Sequence, residues 1–391
     1  MNLNAPEVAS PAELIDKAQA LLYKQFGGAQ QAKEGKGYAY GGLGLLAQHT
    51  SYYDGFAIAL SMHHATAVCI RQSDLQENRI VFDESLALEV SSDEKNTNRK
   101  RSNVIAWRQL VEDILQSMLP ENTAVDVALV SAVPTASLES FIASLSVALA
   151  KAVANFQQLP LPDGAVDKIR SLIVAAIGAE FSKAFIMVSL DVHPGKLCII
   201  DTKTDELIPF DAPARDKLAW ALIEVDKDSP RDFDFYHGLG EKGKLALELL
   251  QKDPQFNYDS FRDIHHIDLQ RVLNVLPQRY RFIVRHLVNE NKRVQVMIGA
   301  IRREDWQKLG GLLFISHSSV STEWKGSSKA IDMVVKEAEN MSLDGVYGAC
   351  MTGRGGAIVV VGLPLALPAF IKKVDDQLKS AFKRPLKYWM L

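Results

Sequence analysis

Cysteine is scarce in this chain of 391 residues. Cys69, Cys198 and Cys350 lie far apart, and no two of them have the spacing of metal ligands or of a redox pair. An odd, sparse set of thiols with mostly apolar neighbours is typical of the reducing cytosol. We therefore expect no metal site and no redox pair, and we expect a cytoplasmic protein.

Long apolar runs and a strong net charge are missing as well. No run approaches the roughly 18 to 20 apolar residues that a membrane helix needs. The net charge of -3 is too small to indicate a nucleic acid or an anionic membrane as a partner. The opening residues, MNLNAPEVAS, have neither the charged start nor the apolar stretch of a signal peptide.

Hydrophobic periodicity predicts a strand-rich first half and a mostly helical second half. Strands and helices are segregated along the chain, which favours an α+β protein over a doubly wound sheet. Helices are predicted at 11–26, 103–118, 140–156, 165–182, 277–302, 303–321, 328–340 and 367–382. Strands are predicted at 38–46, 56–62, 65–71, 79–83, 86–90, 124–133, 184–190, 196–201, 218–225, 346–351 and 357–363, with an exposed loop at 91–102.

A first motif lies at residues 41–55, GGLGLLAQHTSYYDG. It resembles the signature G-R-x-N-L-I-G-E-H-T-D-Y-x-x-G of the galactokinases, which belong to the GHMP small-molecule kinase superfamily. The resemblance implies that the catalytic Arg of that family falls on Gly42. Its sugar-binding Glu, His and Asp fall on Gln48, His49 and Ser51. His49 either binds a sugar or satisfies backbone groups in a turn, and both interpretations stay open.

A second motif, VSAVPTASLESFIASLSVALAKAV at 130–153, resembles the galactokinase phosphate loop, V-P-x-G-x-G-L-S-S-S-A-S-L-x-V-A-L-A. Side chains at the glycine positions block close approach of backbone to phosphate. Phe141 and Ile142 replace two serines of the family, and Ser137 or Ser140 is the predicted helix cap. The remnant of the nucleotide loop comprises Pro134, Ala136, Leu138 and Ser140.

A third motif, KAFIMVSLDVHPGKLCIIDTKT at 183–204, resembles the segment that carries the family's catalytic base. The base position falls on Val188, which cannot accept a proton. Asp191, three residues further on, is a possible substitute. A solvent-facing Asp before the His-Pro-Gly turn is the interpretation that the sequence favours.

The second half supplies three further resemblances, at 279–294, 312–324 and 345–364. The last of these is two residues shorter than the family loop that closes over the phosphates. Its residues Gly353, Arg354 and Gly355 complete the remnant of the nucleotide site. Arg354 either supplies a lone cation or occupies a tight turn in solvent, and the second is the prediction.

Tyr236 is a weaker echo of a substrate-side Tyr in galactokinases, because the Arg pair that follows it in the family is missing. An ordinary surface or half-buried Tyr is the competing interpretation. The predicted substrate-binding set is therefore Gln48, His49, Ser51 and Tyr236.

The resemblance implies a two-domain GHMP kinase fold. A mixed-sheet N-terminal domain would span 1–215, and a ferredoxin-like C-terminal domain would span 216–391. Because the chemistry-bearing positions depart from the family, the first hypothesis is a catalytically silent galactokinase homologue in a sensor or accessory role. It would bind a hexose such as galactose or a protein partner, and it would need no cofactor.

Two other hypotheses stay open. The chain is an active ATP- and magnesium-dependent sugar kinase if Asp191 and either Arg354 or Lys183 replace the missing groups. It is an interaction protein without a small ligand if apolar side chains fill the cleft around Phe141, Ile142 and Val188. A monomer is expected because no interface signature is visible.

Overall fold

The computed structural model describes residues 8–27, 32–46, 49–83, 86, 107–226, 231–256 and 258–391. The predicted loop at 91–102 lies outside these ranges, as does all but the first residue of the predicted strand at 86–90.

The larger sheet is mixed, because β3 runs parallel to β4 while its other pairings are antiparallel. Its long central strand β2 pairs with β1 along one edge and with both β4 and β5 along the other. Strand β6 forms one end of the sheet and carries Pro209. In the described part of the chain the strands are β1 (Glu34–Leu46), β2 (Phe56–Gln72), β3 (Arg79–Phe82), β4 (Val125–Ser131), β5 (Lys196–Asp201) and β6 (Glu206–Asp211).

The helices of this half, in the described part of the chain, are α1 (Pro11–Phe26), α2 (Trp107–Met118), α3 (Leu138–Gln157), α4 (Ala165–Ile177) and α5 (Lys183–Asp191). Helices α1, α3 and α5 pack on the sheet, whereas α2 and α4 pack against α3. Helix α1 begins at a Ser10–Glu13 capping box, so its predicted bounds and cap are confirmed. Helix α3 is long and apolar enough to span a membrane by length and composition alone. It packs against β1 and β2 with most of its surface buried, as a core helix does.

Several predicted elements of the first half are wrong. Residues 184–190 were expected to be a strand, but they lie in α5, because a short apolar run suits a buried helix as well as a buried strand. The predicted helix 165–182 ends at Ile177, where Gly178 adopts a left-handed conformation. The predicted strands 56–62 and 65–71 are one continuous strand, β2.

The smaller sheet is antiparallel, with the order β10-β7-β9-β8. Its residues alternate between two faces: one face belongs to the same apolar cluster as the first sheet, and the other packs on the helices Lys329–Asn340 and Leu367–Phe382. Its strands, in the described residues, are β7 (Ala219–Glu224), β8 (Gly348–Met351), β9 (Ala357–Gly362) and β10 (Lys387–Met390). The sequence did not predict β6 or β10.

The remaining helices, in the described residues, are α6 (Phe233–Gln251), α7 (Leu269–Val275), α8 (Gln278–Arg302), α9 (Trp306–Ser319), α10 (Lys329–Asn340) and α11 (Leu367–Phe382). A single π-helical turn, Val320–Trp324, follows α9. Helices α6 to α8 share an apolar cluster with Tyr53 and Trp324. These helices and the turn thus meet the end of β1 and the start of β2.

One continuous apolar core joins the two sheets, since it contains Leu43 of β1 as well as Trp220 of β7 and Val359 of β9. The architecture confirms the α+β prediction and the mixed sheet. The domain boundary at 215 stays a prediction.

The three thiols are buried. Burial raises the pKa of Cys69 and of Cys198 to about 12, and it raises the pKa of Cys350 as well. The Cys350 thiol donates to the carbonyl of Leu45 (3.4 Å) and so ties β8 to the end of β1.

Candidate functional site

The start of α3 is the place where the second sequence motif meets the shortened glycine-rich loop. Ser137 occupies the N-cap position, but its hydroxyl donates to the carbonyl of Pro134 (2.6 Å) rather than capping the helix. Ser140 donates instead to the carbonyl of Gly42 on β1. Ser137 is therefore the N-cap residue, as one of the two predicted alternatives, but neither serine caps the helix with its side chain. Both hydroxyls instead tie the start of the helix to neighbouring backbone.

A buried ion pair occupies the space between α3 and the glycine-rich loop. The backbone N–H of Arg354 donates to Glu139 Oε2 (2.8 Å), and its Nε donates to Glu139 Oε1 (3.0 Å). Arg354 is 1% exposed and Glu139 is 3% exposed. The predicted solvent turn at Arg354 is therefore wrong, because a carboxylate 215 positions away in sequence draws the guanidinium inside.

The two loops touch directly. Gly353 has a left-handed φ of 62°, and a Cβ there would lie 1.9 Å from Glu139 Oε2. A Cβ on Gly355 would lie 1.9 Å from the carbonyl oxygen of Ala136. Glycine is therefore required at both positions for the loops to close on each other. The two segments predicted to be the remnant of the nucleotide site thus contact each other.

Arg354 also lies among aromatic rings. Its guanidinium carbon is 5.3 Å from the ring centre of Tyr236, 5.4 Å from that of Phe233 and 5.9 Å from that of Phe181. Burial opposes its charge, but Tyr52, Glu139 and Tyr236 outweigh burial, so the pKa of Arg354 lies above its ordinary value. The cation is held in place by a carboxylate and π faces.

Gly42 and Val188 are in contact. A Cβ on Gly42 would lie 2.7 Å from Val188 Cγ1, and Val188 is fully buried. The two positions that the resemblance aligns with the family's Arg and base are thus neighbours in space. In this chain an isopropyl group fills the volume that a long cationic side chain at residue 42 would need.

The first motif places His49 inside the molecule. His49 is 4% exposed and has a left-handed φ of 66°. Its Nδ1 lies 2.8 Å from the hydroxyl of Tyr52, so its partner is a side chain rather than the backbone of a turn. Gln48 lies outside the described residues.

The imidazole of His49 stacks on the indole of Trp324, with ring centres 4.4 Å apart and an angle of 8° between the planes. The ring of Tyr236 lies 5.6 Å away, and that of His286 lies 6.3 Å away. Burial, followed by the charges of His286 and Arg354, holds the pKa of His49 well below its usual value. The imidazole is therefore neutral at physiological pH.

The structure brings together most of the predicted substrate side. Tyr236 is 4% exposed and faces both His49 and Arg354, which contradicts the interpretation of an ordinary surface or half-buried Tyr. Ser51 lies two residues after His49, and its hydroxyl donates to the hydroxyl of Ser182 (2.6 Å); both serines are buried. His49, Tyr236 and Arg354 therefore meet in one region, whereas the Ser51 side chain is tied to the start of α5 through Ser182.

Known proteins resemble this chain over nearly its whole length. The chain is 27% identical over 362 residues to a galactokinase of Streptomyces coelicolor, with 89% of each protein covered. It is 24% identical over 360 residues to a galactokinase of Thermotoga neapolitana, covering 89% of this chain and 94% of the relative. The structure of Lactococcus lactis galactokinase complexed with galactose matches at a TM-score of 0.78, with 18% identity and 97% of each chain covered. By sequence this chain is similar to galactokinases, and it has the GHMP kinase fold.

The same fold is found in L. major mevalonate kinase in complex with R-mevalonate, which matches at a TM-score of 0.57 and 14% identity, with 92% of this chain and 97% of that chain covered. No family model matches the sequence. The resemblance predicted from the motifs is confirmed, and so is the GHMP kinase fold.

Asp191, Lys183 and Arg354 were considered as substitutes for the missing catalytic groups. Asp191 is exposed at the end of α5, as the sequence favoured. Lys183 is ion-paired with Asp205, and Arg354 is paired with Glu139. In the described ranges, no three His, Cys, Asp or Glu side chains are grouped as metal ligands would be.

Sequence reasoning missed two residues of this site. Glu139 lies in the first turn of α3, and nothing local shows that it meets Arg354. Trp324 ends the second resemblance of the second half, at 312–324, but no role follows from its place in that motif. The π-helical turn that carries Trp324 was hidden in the predicted helix 303–321 and the residues after it. π-helical turns are rare in proteins and are frequently found at functional sites, but no sequence pattern predicts them.

Proposed function

We propose that this galactokinase-like protein is a catalytically silent homologue that acts as a sensor or accessory protein. Its retained role is recognition of a hexose such as galactose, or of a protein partner, without phosphoryl transfer. No cofactor is needed for such a role. ATP and magnesium belong to the competing hypothesis of an active kinase.

The observation that carries this proposal is the Glu139–Arg354 pair. A carboxylate at the start of α3 places negative charge where a triphosphate would need bare N–H groups and a favourable helix dipole. Two like charges cannot share that space at low cost. A nucleotide could enter only by breaking a buried ion pair.

The loss of catalytic groups supports the same conclusion. Phosphoryl transfer depends on positioning and on fixed positive charge around the transferred group. Gly42 provides no charge, and Val188 provides no proton acceptor. Each missing group removes several kcal/mol of transition-state stabilisation, on the order of a thousandfold in rate.

Recognition of a hexose is supported by the side chains that remain around His49. A neutral imidazole, the hydroxyl of Ser51 and the rings of Tyr236 and Trp324 offer hydrogen-bonding groups and flat apolar faces. The L. lactis relative was solved with galactose bound. Since these groups pack closely here, entry of a sugar requires Trp324 to move away from His49.

The test of silence is a turnover assay with Mg-ATP and a panel of hexoses, with an active galactokinase run in parallel. We expect no ADP above the protein-free rate with any hexose. Turnover with any sugar would replace the silent reading with the active-kinase reading. In that event, activity should disappear in Asp191→Asn and survive in Asp163→Asn, which changes an exposed Asp of the loop before α4.

The test of recognition is calorimetric titration with galactose, with and without Mg-ATP. We expect galactose to bind with the same affinity in both conditions and to raise the melting temperature by itself. His49→Asn should weaken binding, whereas His193→Asn, at an exposed His, should not. Stabilisation only by galactose and Mg-ATP together would favour the kinase.

A second function is favoured by one observation. Phe141, Ile142 and Val188 are buried at 1%, 0% and 0% exposure, so this part of the cleft is apolar and filled. That arrangement suits an interaction protein without a small ligand. Absence of stabilisation by galactose, by Mg-ATP and by both together would support this function over the sensor.

A further inference from the structure

A cavity of about 430 Å³ lies at the end of the larger sheet, away from the residues described above. It is bordered by the β5–β6 hairpin, the segment 212–217, the end of α8 and the start of α9, and it opens to solvent on one side. We call it the hairpin cavity. Its apolar lining consists of Ile199, Ile208, Phe210, Ile298, Ile301 and Trp306.

The pairing register explains why these side chains converge. Ile199 lies opposite Ile208, and Leu197 lies opposite Phe210, so all four project from the same face of the hairpin. The last turn of α8 covers this face only in part, and Ile208 remains 49% exposed. An open apolar recess is therefore built into regular secondary structure.

Charged groups stand around the recess. In the described part of the chain, neither Lys217 nor Arg302 has an ion-pair partner, although both line the cavity. Asp211 also lines it, but Lys196 neutralises that carboxylate at 2.5 Å. Glu304 is the remaining carboxylate of the lining. Uncompensated cations therefore outnumber uncompensated anions by two to one.

We propose that the hairpin cavity binds a small molecule with an aromatic or branched apolar body and a single anionic group. The volume falls within the range of small-molecule sites, which are mostly apolar with few oriented polar groups. The apolar body lies on the hairpin face and Trp306, and the anion meets Arg302 and Lys217. The site shares no residue with the region around His49 and Arg354, so it stands whether or not the proposed function holds.

The experiment uses 8-anilinonaphthalene-1-sulfonate, an aromatic monoanion, with the folded full chain. Binding is followed by probe emission and by energy transfer from tryptophan, since Trp306 lines the cavity. We expect one saturable site per chain. Arg302→Glu should weaken binding by about fivefold, because it turns an attraction into a repulsion at a partly screened site.

Matched controls separate the cavity from the general surface. Arg303→Glu makes the same charge change at the neighbouring exposed position, outside the lining, and should change the affinity by less than about twofold. Ala214→Trp adds a large side chain at an exposed position of the lining and should abolish saturable binding. Circular dichroism establishes that each variant is folded.

Three results would overturn the proposal. Equal weakening by Arg302→Glu and Arg303→Glu would remove the specific role of the cation. Unchanged binding in Ala214→Trp would place the probe elsewhere. Equally tight binding of N-phenyl-1-naphthylamine, which has the same rings without the sulfonate, would show that the anion contributes nothing.

Discussion

The ion pair between Arg354 and Glu139 shows at the scale of single residues how a loop and a helix are locked together. Arg354→Met should lower the free energy of unfolding by about 3–5 kcal/mol, because it leaves the Glu139 carboxylate buried without its partner. Urea denaturation measures this change. The double variant Glu139→Gln/Arg354→Met should recover much of the loss, since no charge is then buried. Simple addition of the two single costs would contradict the account.

His64 offers a prediction about pH. Burial lowers the pKa of His64 to about 4, with smaller contributions from the charges of His63 and Arg215. In the unfolded chain His64 binds a proton near pH 6.5, whereas in the folded chain it binds one only near pH 4. The free energy of unfolding should therefore fall as the pH drops from 6.5 towards 4. Above pH 6.5 the full stabilising contribution of neutral His64 is present.

Comparison of urea midpoints across this range, for wild type and His64→Leu, isolates the effect from the titration of carboxylates. The decline should be shallower in His64→Leu. The same replacement at the exposed His193 should leave the wild-type profile in place. Parallel curves for wild type and His64→Leu would refute the assignment.

At the scale of elements, the π-helical turn Val320–Trp324 sets the position of one ring. It delivers Trp324, 1% exposed, onto His49 and beside His286 at 4.8 Å. Trp324→Ala should lower stability by about 3–5 kcal/mol, as expected for removal of a buried aromatic side chain. The pKa of His49 should rise towards its usual value, because water then reaches the imidazole.

Nuclear magnetic resonance titration of the imidazole tests the second half of this prediction, and thermal unfolding tests the first. Trp306→Ala is the matched control, because Trp306 is only partly buried. An equal loss of stability in the two variants would argue against a special role for the turn.

The helices and strands also show which elements the sequence can predict and which it cannot. The capping box of α1 is local, and the sequence predicted that helix to the residue. The α5 segment has an apolar run too short for periodicity to distinguish helix from strand, and tertiary packing decided it. Strand β6 was missed because Pro209 interrupts its apolar pattern and Glu206 and Asp211 stand at its two ends, although proline is allowed in a strand at the edge of a sheet.

The candidate site divides in the same way. The motifs assigned His49 and Tyr236 to one set, and their rings lie 5.6 Å apart, whereas their binding of a sugar stays a prediction. The contact of Arg354 with Glu139 joins positions far apart in sequence, and no local pattern encodes it. Burial of a charge depends on a partner that only the fold supplies.

At the scale of the whole molecule, the shared core predicts a single unfolding event. Apolar residues of both sheets belong to one cluster, and Phe56 of β2 donates its N–H to Asn291 of α8 (2.9 Å). Unfolding in urea should therefore follow one transition, with tryptophan fluorescence and far-ultraviolet circular dichroism coinciding. Two separated transitions would show that the halves unfold independently.

The buried thiols have a consequence for the handling and survival of the protein. A thiol reacts with peroxide or with a disulfide only as a thiolate. The raised pKa values of the three cysteines keep the thiolate form negligible at neutral pH. Alkylating reagents should leave the native chain unlabelled and should label it fully once it unfolds. The chain thus needs no reductant to stay uncrosslinked, and loss of its fold is what would expose it to oxidative damage.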